Sequence, residues 1–193
     1  MGATYGTVSI KGPTREALVD WLKSKSIDAF VTAEQNGWTT FSDRETDQLD
    51  PRWIEPLLQR LSLDLSCIGV AITVYDEEQL GLWVAKHGIL QSRYNSCPDI
   101  EMSDPGEEDM RPRLEDAPAL LATLGKLGAP DDLLPILGID GAKDYIDPLE
   151  LHEELATYLG LPENSVGLGH RYILKGKIDL SEQGLIRTVE TDD

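Results

Sequence analysis

At 193 residues, 40% of them hydrophobic and 27% charged, the chain is long enough for one domain with a core or for a domain with a small appendage, and it holds no apolar run near the ~18 residues that span a bilayer. Its 17 Lys and Arg against 35 Asp and Glu leave a net charge of −18, a field that repels phosphate backbones; no basic cluster with interleaved aromatics offsets it, so nucleic acid is not an expected partner. Cys67 and Cys97 are too few for a disulfide framework or a four-ligand zinc site, and Met1 to Gly6 carry neither the basic cluster nor the apolar stretch of an export signal, so the expected compartment is the cytoplasm.

Tyr5 to Ile10 alternate as a strand. Thr14 reads as a helix N-cap, and Leu18, Trp21, Leu22 and Lys25 recur at the spacing of one helical face, ending near Ser26. Ala29, Val31 and Ala33 alternate up to Asn36-Gly37, and the strand formers Trp38 to Phe41 follow. Asn-Gly between two such runs predicts a type I′ hairpin, because both central residues of that turn need positive φ. Asp50 and Pro51 then open a second helix with an apolar stripe of Trp53, Ile54, Leu57, Leu58 and Leu61, and Pro56 falls early enough to cause no more than a local kink. Ile68 to Tyr75, Leu80 to Ala85 and Ile89 to Tyr94 form a meander that turns at Asp76-Glu77-Glu78 and at His87-Gly88. The stretches Ile27 to Phe41 and Ile68 to Val84 share the order strand, polar turn, Trp-containing strand, and each follows a helix; duplication and convergence both account for it.

Pro98 to Pro118 break the pattern: eight acidic residues and two arginines, with Pro105, Gly106 and Pro112, predict a mobile acidic loop. Beyond it, Ala119 to Leu127 and Asp131 to Leu137 suit two short helices. A third is better specified, with Asp147 as N-cap, Pro148 at N1, Glu150 at N3, an inner face of Leu151, Leu155, Tyr158 and Leu159, and Gly160 at its end. Val166 to Leu174 add a possible last strand, and Thr188 to Asp193 read as a frayed terminus. The expected fold is therefore α+β: a mostly antiparallel sheet of about six strands with two helices on one face, followed by a small helical C-terminal region. Residues 1–97 form the sheet domain of two helix-plus-hairpin units, 98–118 an acidic flexible linker, and 119–187 a helical region packing on the sheet domain.

The candidates for chemistry are few. Cys97, in Tyr94-Asn95-Ser96-Cys97-Pro98-Asp99, is a possible nucleophile, but nothing adjacent in sequence would depress its pKa, and the flanking residues equally make a strand-terminating turn. Cys67 reads as a core thiol. His87 sits in a hairpin turn, His152 at the fifth position of its helix, and His170 at the start of the last strand, so that His170 is the second catalytic candidate. His152, Glu153 and Glu154 project about 100° apart around a helix and cannot converge on a metal, which leaves three surface or half-buried histidines and no metal site. Gly167-Leu168-Gly169-His170 follows a helix rather than preceding one, unlike a phosphate-binding glycine loop, and Asp140-Gly141, Asp144 and Asp147 lack the alternating ligands of a calcium loop; no cofactor is expected. Trp21, Trp38, Trp53 and Trp83 fall one on each helix and hairpin, as core residues or as part of a recognition patch.

Ala29-Phe30-Val31-Thr32, Asn36-Gly37-Trp38-Thr39, Leu82-Trp83, Tyr94 to Asp99, and Leu155 to Pro162 followed by Val166-Gly167-Leu168-Gly169 span most of the chain. This series resembles an uncharacterised family of bacterial proteins, through the Asn-Gly-Trp-Thr hairpin and the Tyr-Asn-Ser-x-Pro turn. The chain departs from that pattern at Ile100, where an aromatic would stand. The resemblance implies a bacterial protein but no activity, since the family has none assigned.

The charge, the acidic loop and the absence of an assembled catalytic set favour a non-enzymatic binding or interaction protein, of immunity or scaffolding type, that engages a basic protein partner. The alternative is an enzyme with Cys97 as nucleophile in a cleft between the sheet and the C-terminal helices, or with a histidine-based acid/base site. A homodimer joined at its sheet edges is a third expectation.

Overall fold

The computed structural model describes residues 2–98, 111–124, 130–139, 147–181 and 184–189. Eight strands form one antiparallel sheet: β1 (Ala3–Lys11), β2 (Ala29–Val31), β3 (Trp38–Asp43), β4 (Ile68–Asp76), β5 (Gln79–Lys86), β6 (Ile89–Asn95), β7 (Arg113–Glu115) and β8 (Ile186–Arg187), in the spatial order β7-β6-β5-β4-β1-β3-β2-β8. Among the described residues six α-helices accompany it: α1 (Arg15–Ser24), α2 (Pro51–Asp64), α3 (Ala117–Leu124), α4 (Pro130–Ile136), α5 (Pro148–Leu159) and α6 (His170–Leu174). The α+β class and the dominant antiparallel sheet follow the sequence reading, whereas the strand count is eight rather than about six.

β1 occupies the centre, paired with β4 along its whole length from Ala3↔Asp76 to Lys11↔Ile68, and with β3 from Val8↔Phe41 to Lys11↔Trp38. The connection β1-α1-β2 passes over β3, and β3-α2-β4 passes over β1 in the opposite direction from a strand of opposite sense. With equal handedness, two such crossovers set both helices on the same face of the sheet. That face is a core of Val8, Ile10, Phe41, Ala71 and Trp83 beneath Leu18, Leu22, Ile54, Leu58 and Leu61. The alternate residues Tyr5, Trp38, Val70, Ile72, Val74, Leu82 and Val84 face the other way and pack against Leu120, Leu133, Leu151 and Leu155 of α3, α4 and α5. The sheet is therefore covered on both sides, which is why β4 reads Ile-Gly-Val-Ala-Ile-Thr-Val rather than as a clean polar-apolar alternation.

Local signals set the element ends. The side chains of Thr14, Asp50 and Asp147 accept hydrogen bonds from N–H groups in the first turns of α1, α2 and α5, and Gly160 closes α5 in the left-handed region at φ 71°. Asn36 and Gly37, at φ 56° and 78°, make the hairpin turn between β2 and β3. Trp53 is 37% exposed, so the buried stripe of α2 consists of Ile54, Leu57, Leu58 and Leu61 without it. Trp21 and Trp83 instead sit in the core, their indole N–H groups donating to Asp64 at 3.0 Å and Glu55 at 3.1 Å.

After β6 the chain crosses the second face from one sheet edge to the other. Of the acidic 98–118 segment, residues 99–110 lie outside the described residues, and Arg113–Glu115 form the edge strand β7 on β6, at Tyr94↔Leu114. Val166 to Leu174 are not a strand. They run through a loop into α6 (His170–Leu174), with Leu168 of the loop and Ile173 of the helix both packed on Phe30. β8 then pairs with β2 at Phe30↔Arg187 and Val31↔Ile186. Thr188 is buried rather than frayed: its hydroxyl donates to the Ile27 carbonyl at 2.6 Å and accepts the Ala29 N–H at 2.8 Å. Among the described residues no helix is long and apolar enough to cross a membrane.

Leu58 lies fully buried under α2 and Leu155 under α5. Truncating either to alanine is expected to lower the unfolding free energy by roughly 2–5 kcal/mol. Because one sheet serves both layers, urea transitions followed by tryptophan fluorescence and by far-UV circular dichroism should stay coincident in both variants. A separate early transition in Leu155→Ala would show instead that the C-terminal helices melt as an independent unit.

Candidate functional site

Thr7 and Ser9 on β1, and Thr39, Thr40, Ser42 and Asp43 on β3, are polar yet buried, and hydrogen bonds make the burial of Ser9, Thr40, Ser42 and Asp43 tolerable. The hydroxyls of Ser9 and Thr40 are 2.7 Å apart, and Ser42 donates to the Gly6 carbonyl at 3.0 Å. Asp43 ends β3 as a cap: its carboxylate accepts the N–H groups of Glu45 at 2.9 Å and Thr46 at 3.1 Å as well as the Thr46 hydroxyl. That cap starts a 3₁₀ turn, Thr46–Gln48, which lies against the end of β1. Gly6 permits the approach, since a Cβ there would lie 2.4 Å from the Thr46 carbonyl oxygen.

The turn presents Asp47, 5% exposed, as a clamp between distant segments. One carboxylate oxygen accepts the Gly6 N–H at 3.1 Å and the other accepts the Arg171 N–H at 2.8 Å, while the Arg171 guanidinium returns a hydrogen bond to the Asp47 carbonyl at 3.2 Å. Burial pushes the carboxyl pKa values of Asp43 and Asp47 upward, against the hydrogen bonds that favour their charged forms.

Beside this clamp, His170 opens α6, only 3% exposed, with its ring tilted against Phe30 at 5.1 Å between centroids. Its Nε2 lies 3.8 Å from Asp28 and makes no hydrogen bond among the described residues. Burial lowers the imidazole pKa, and the neighbouring carboxylates of Asp28, Asp47 and Asp43 oppose that shift. Arg187 of β8 grips both oxygens of Asp28, at 2.9 and 2.6 Å, and lies over the Phe30 ring; its hydrogen bonds hold the Asp28 carboxyl below the ordinary range. With the exposed Arg44, these side chains line a cleft of about 440 Å³.

On the second face of the sheet, Tyr5 and His152 form another buried pair, with the phenol oxygen 2.7 Å from Nδ1. Burial raises the Tyr5 pKa, so the phenol keeps its proton, and the direction of its hydrogen bond to Nδ1 follows the imidazole tautomer. His152 is fully buried, and desolvation takes its pKa down to about 3.

These positions correct several sequence-based expectations. His152 and His170 are buried rather than at the surface, and His170 begins a helix rather than a strand; His87 is exposed in its hairpin turn at φ 52°. Cys97 is 8% exposed and sits in the turn that ends β6, its N–H donating to Asn95 at 2.9 Å and its carbonyl accepting from Gln79 at 2.6 Å. The strand it follows and the β2 strand that His170 touches are five positions apart in the sheet, roughly 24 Å at the usual strand spacing, so the two catalytic candidates do not meet. Cys67 is in the core between α2 and β4, where burial raises its thiol pKa to about 12. Among the described residues no three His, Cys, Asp or Glu side chains are placed to hold a metal ion. No family model matches the chain, and neither a curated protein nor a solved structure matches it.

The residues that do assemble were not legible as a group. An Asp with a Thr three residues on, just after a strand, marks Asp43 as a cap, but Asp28 and Arg187 are 159 positions apart and carry no local signal.

His152 gives a pH test. It stays neutral in the folded state, so on acidification below its unfolded value near 6.5 only the unfolded chain takes up the proton, and folding loses on the order of 1.4 kcal/mol per pH unit from this group until the folded pKa is reached. Urea unfolding at pH 7, 6, 5 and 4 should show His152→Gln losing less stability per pH unit than the wild type below pH 6.5, and the same slope above it. Parallel profiles throughout would mean that His152 is not held neutral.

Proposed function

We propose that this chain is a non-enzymatic binding protein whose acidic surface engages a basic protein partner. The observation that carries this reading is how the cations are spent. Arg60 and Lys25 pair with Asp64, Arg52 with Asp50, Arg93 with Glu55 and Glu115, Arg171 with Asp47, and Arg187 with Asp28. These pairs contribute little to stability at the surface, but they cancel much of the positive charge locally and leave the excess of carboxylates to set the outer field.

Part of that excess surrounds one cleft. Glu34, Glu150, Glu153 and Glu163 are exposed around the β2–β3 hairpin and α5, and Gln35, Asn36, Glu153, Thr157 and Glu163 line a cleft of about 410 Å³ beside the C-terminal end of α5. The helix end adds partial negative charge, and amide and hydroxyl groups supply further acceptors. A lysine or arginine of the partner suits this cleft, with long-range attraction accelerating its arrival.

The test is affinity capture from a bacterial lysate at rising salt, using wild type, Glu153→Gln/Glu163→Gln, and a control, Glu16→Gln/Asp20→Asn, that removes as much charge from exposed sites on α1. The reading expects a basic protein whose recovery falls with salt and falls further, by about tenfold, in the cleft variant but not in the control. Recovery that is insensitive to salt, or equal in the two variants, defeats it.

A further inference from the structure

We propose that the cleft formed by Arg44, Arg171, Arg187 and His170 is a binding site for the oxyanion group, phosphate or carboxylate, of a small molecule. It is separate from the acidic face and does not depend on a basic partner.

Charge singles this cleft out. Those near Glu153, near Asn164 and near Tyr75 are lined by more carboxylates than cations, whereas this one has three arginines against Asp28 and Asp47, in a chain of net charge −18. Its two carboxylates are already engaged. Both oxygens of Asp28 take the Arg187 fork, and the oxygens of Asp47 take the backbone N–H groups of Gly6 and Arg171.

Donors, by contrast, are in surplus. The Arg44 guanidinium is exposed and makes no hydrogen bond or ion pair among the described residues; the buried Nε of Arg171, 3.7 Å from Asp47, and Nε2 of His170, 3.8 Å from Asp28, lie too far from those carboxylates to hydrogen-bond and have no other partner there. A buried guanidinium N–H without a hydrogen bond is costly, and beside the unpaired Arg44 fork, with His170 Nε2 as a further donor in the tautomer that carries its proton there, it defines the complement the opening lacks: a group offering acceptor oxygens with negative charge. The donors are also held in place before any ligand arrives, since Asp47 fixes Arg171, Asp28 fixes Arg187, and Phe30 backs both Arg187 and His170. A cleft of about 440 Å³ admits a small metabolite and not only a single ion.

The experiment is calorimetric titration with inorganic phosphate and, separately, with succinate, at constant ionic strength. Line widths and shifts of the His170 imidazole resonances are followed in parallel. Saturable binding of one or both probes is expected, with the imidazole resonances moving along the same isotherm. Selectivity for phosphate assigns a phosphoryl group, and selectivity for succinate a carboxylate. Arg44→Gln, an exposed change with no partner to lose, should weaken binding about tenfold and Arg44→Glu should abolish it, while Arg60→Gln on α2 leaves it unchanged. Absence of saturable binding by either probe overturns the proposal. So does binding that Arg44→Gln leaves intact or that Arg60→Gln weakens equally.

Discussion

A strand pair that is apolar on both faces cannot leave either face in water, and this constraint organises the whole molecule. β1 and β4 lie side by side in full register at the centre of the sheet, with Val8 and Ala71 on one side and Tyr5 and Val74 on the other. The first 97 residues supply cover for one side only, because both of their crossover helices arrive on the same face. The remaining chain has to supply the other. It does so as three amphipathic helices laid between a short edge strand at one end of the sheet and another at the opposite end, and both edges stop after two or three residues, which blunts them against further strand pairing.

That constraint explains what could be read from the sequence. Elements fixed by neighbours in the chain were legible: the Asn36-Gly37 hairpin, the Asp50-Pro51 and Asp147-Pro148 helix starts, the Gly160 stop and the three-stranded meander. Each rests on a turn or cap whose chemistry lies within a few residues. Elements defined by what they touch were not. Val166 to Leu174 have the composition of a strand, but they divide into a loop and the short helix α6, whose Leu168 and Ile173 pack together on Phe30. β7 and β8 are too short to show any period, and they exist only because β6 and β2 offer open edges. Trp53 sits on the margin of a helical stripe, where spacing alone does not separate buried from exposed.

The same division holds for the polar residues. His152 is surrounded in sequence by glutamates, which suggested solvent; its depth in the structure is set by Tyr5, 147 positions away. By composition Asp47 is one more acid in an acidic chain, yet it joins β1 to α6 through two backbone N–H groups. Buried polar groups of this kind carry a high penalty when unpaired, and pairing across such distances favours one arrangement of the layers over others that would bury as much apolar surface. The polar clamp and the arginine-lined cleft are consequences of one event, the docking of α6 and β8 against β2.

The hydrogen bond between Thr188 and Ala29 joins residues 159 positions apart, and it seals the outer edge of β2. Until Ile186 and Arg187 have been made, β2 keeps an open edge and Phe30 lacks the guanidinium that lies over its ring, so the sheet stays partly built while all the intervening segments are synthesised. Contacts so remote along the polymer form slowly. The closing step is therefore a late, long-range one, and a chain cut before Ile186 has a two-sided sheet that is complete at the centre and open at its β2 rim.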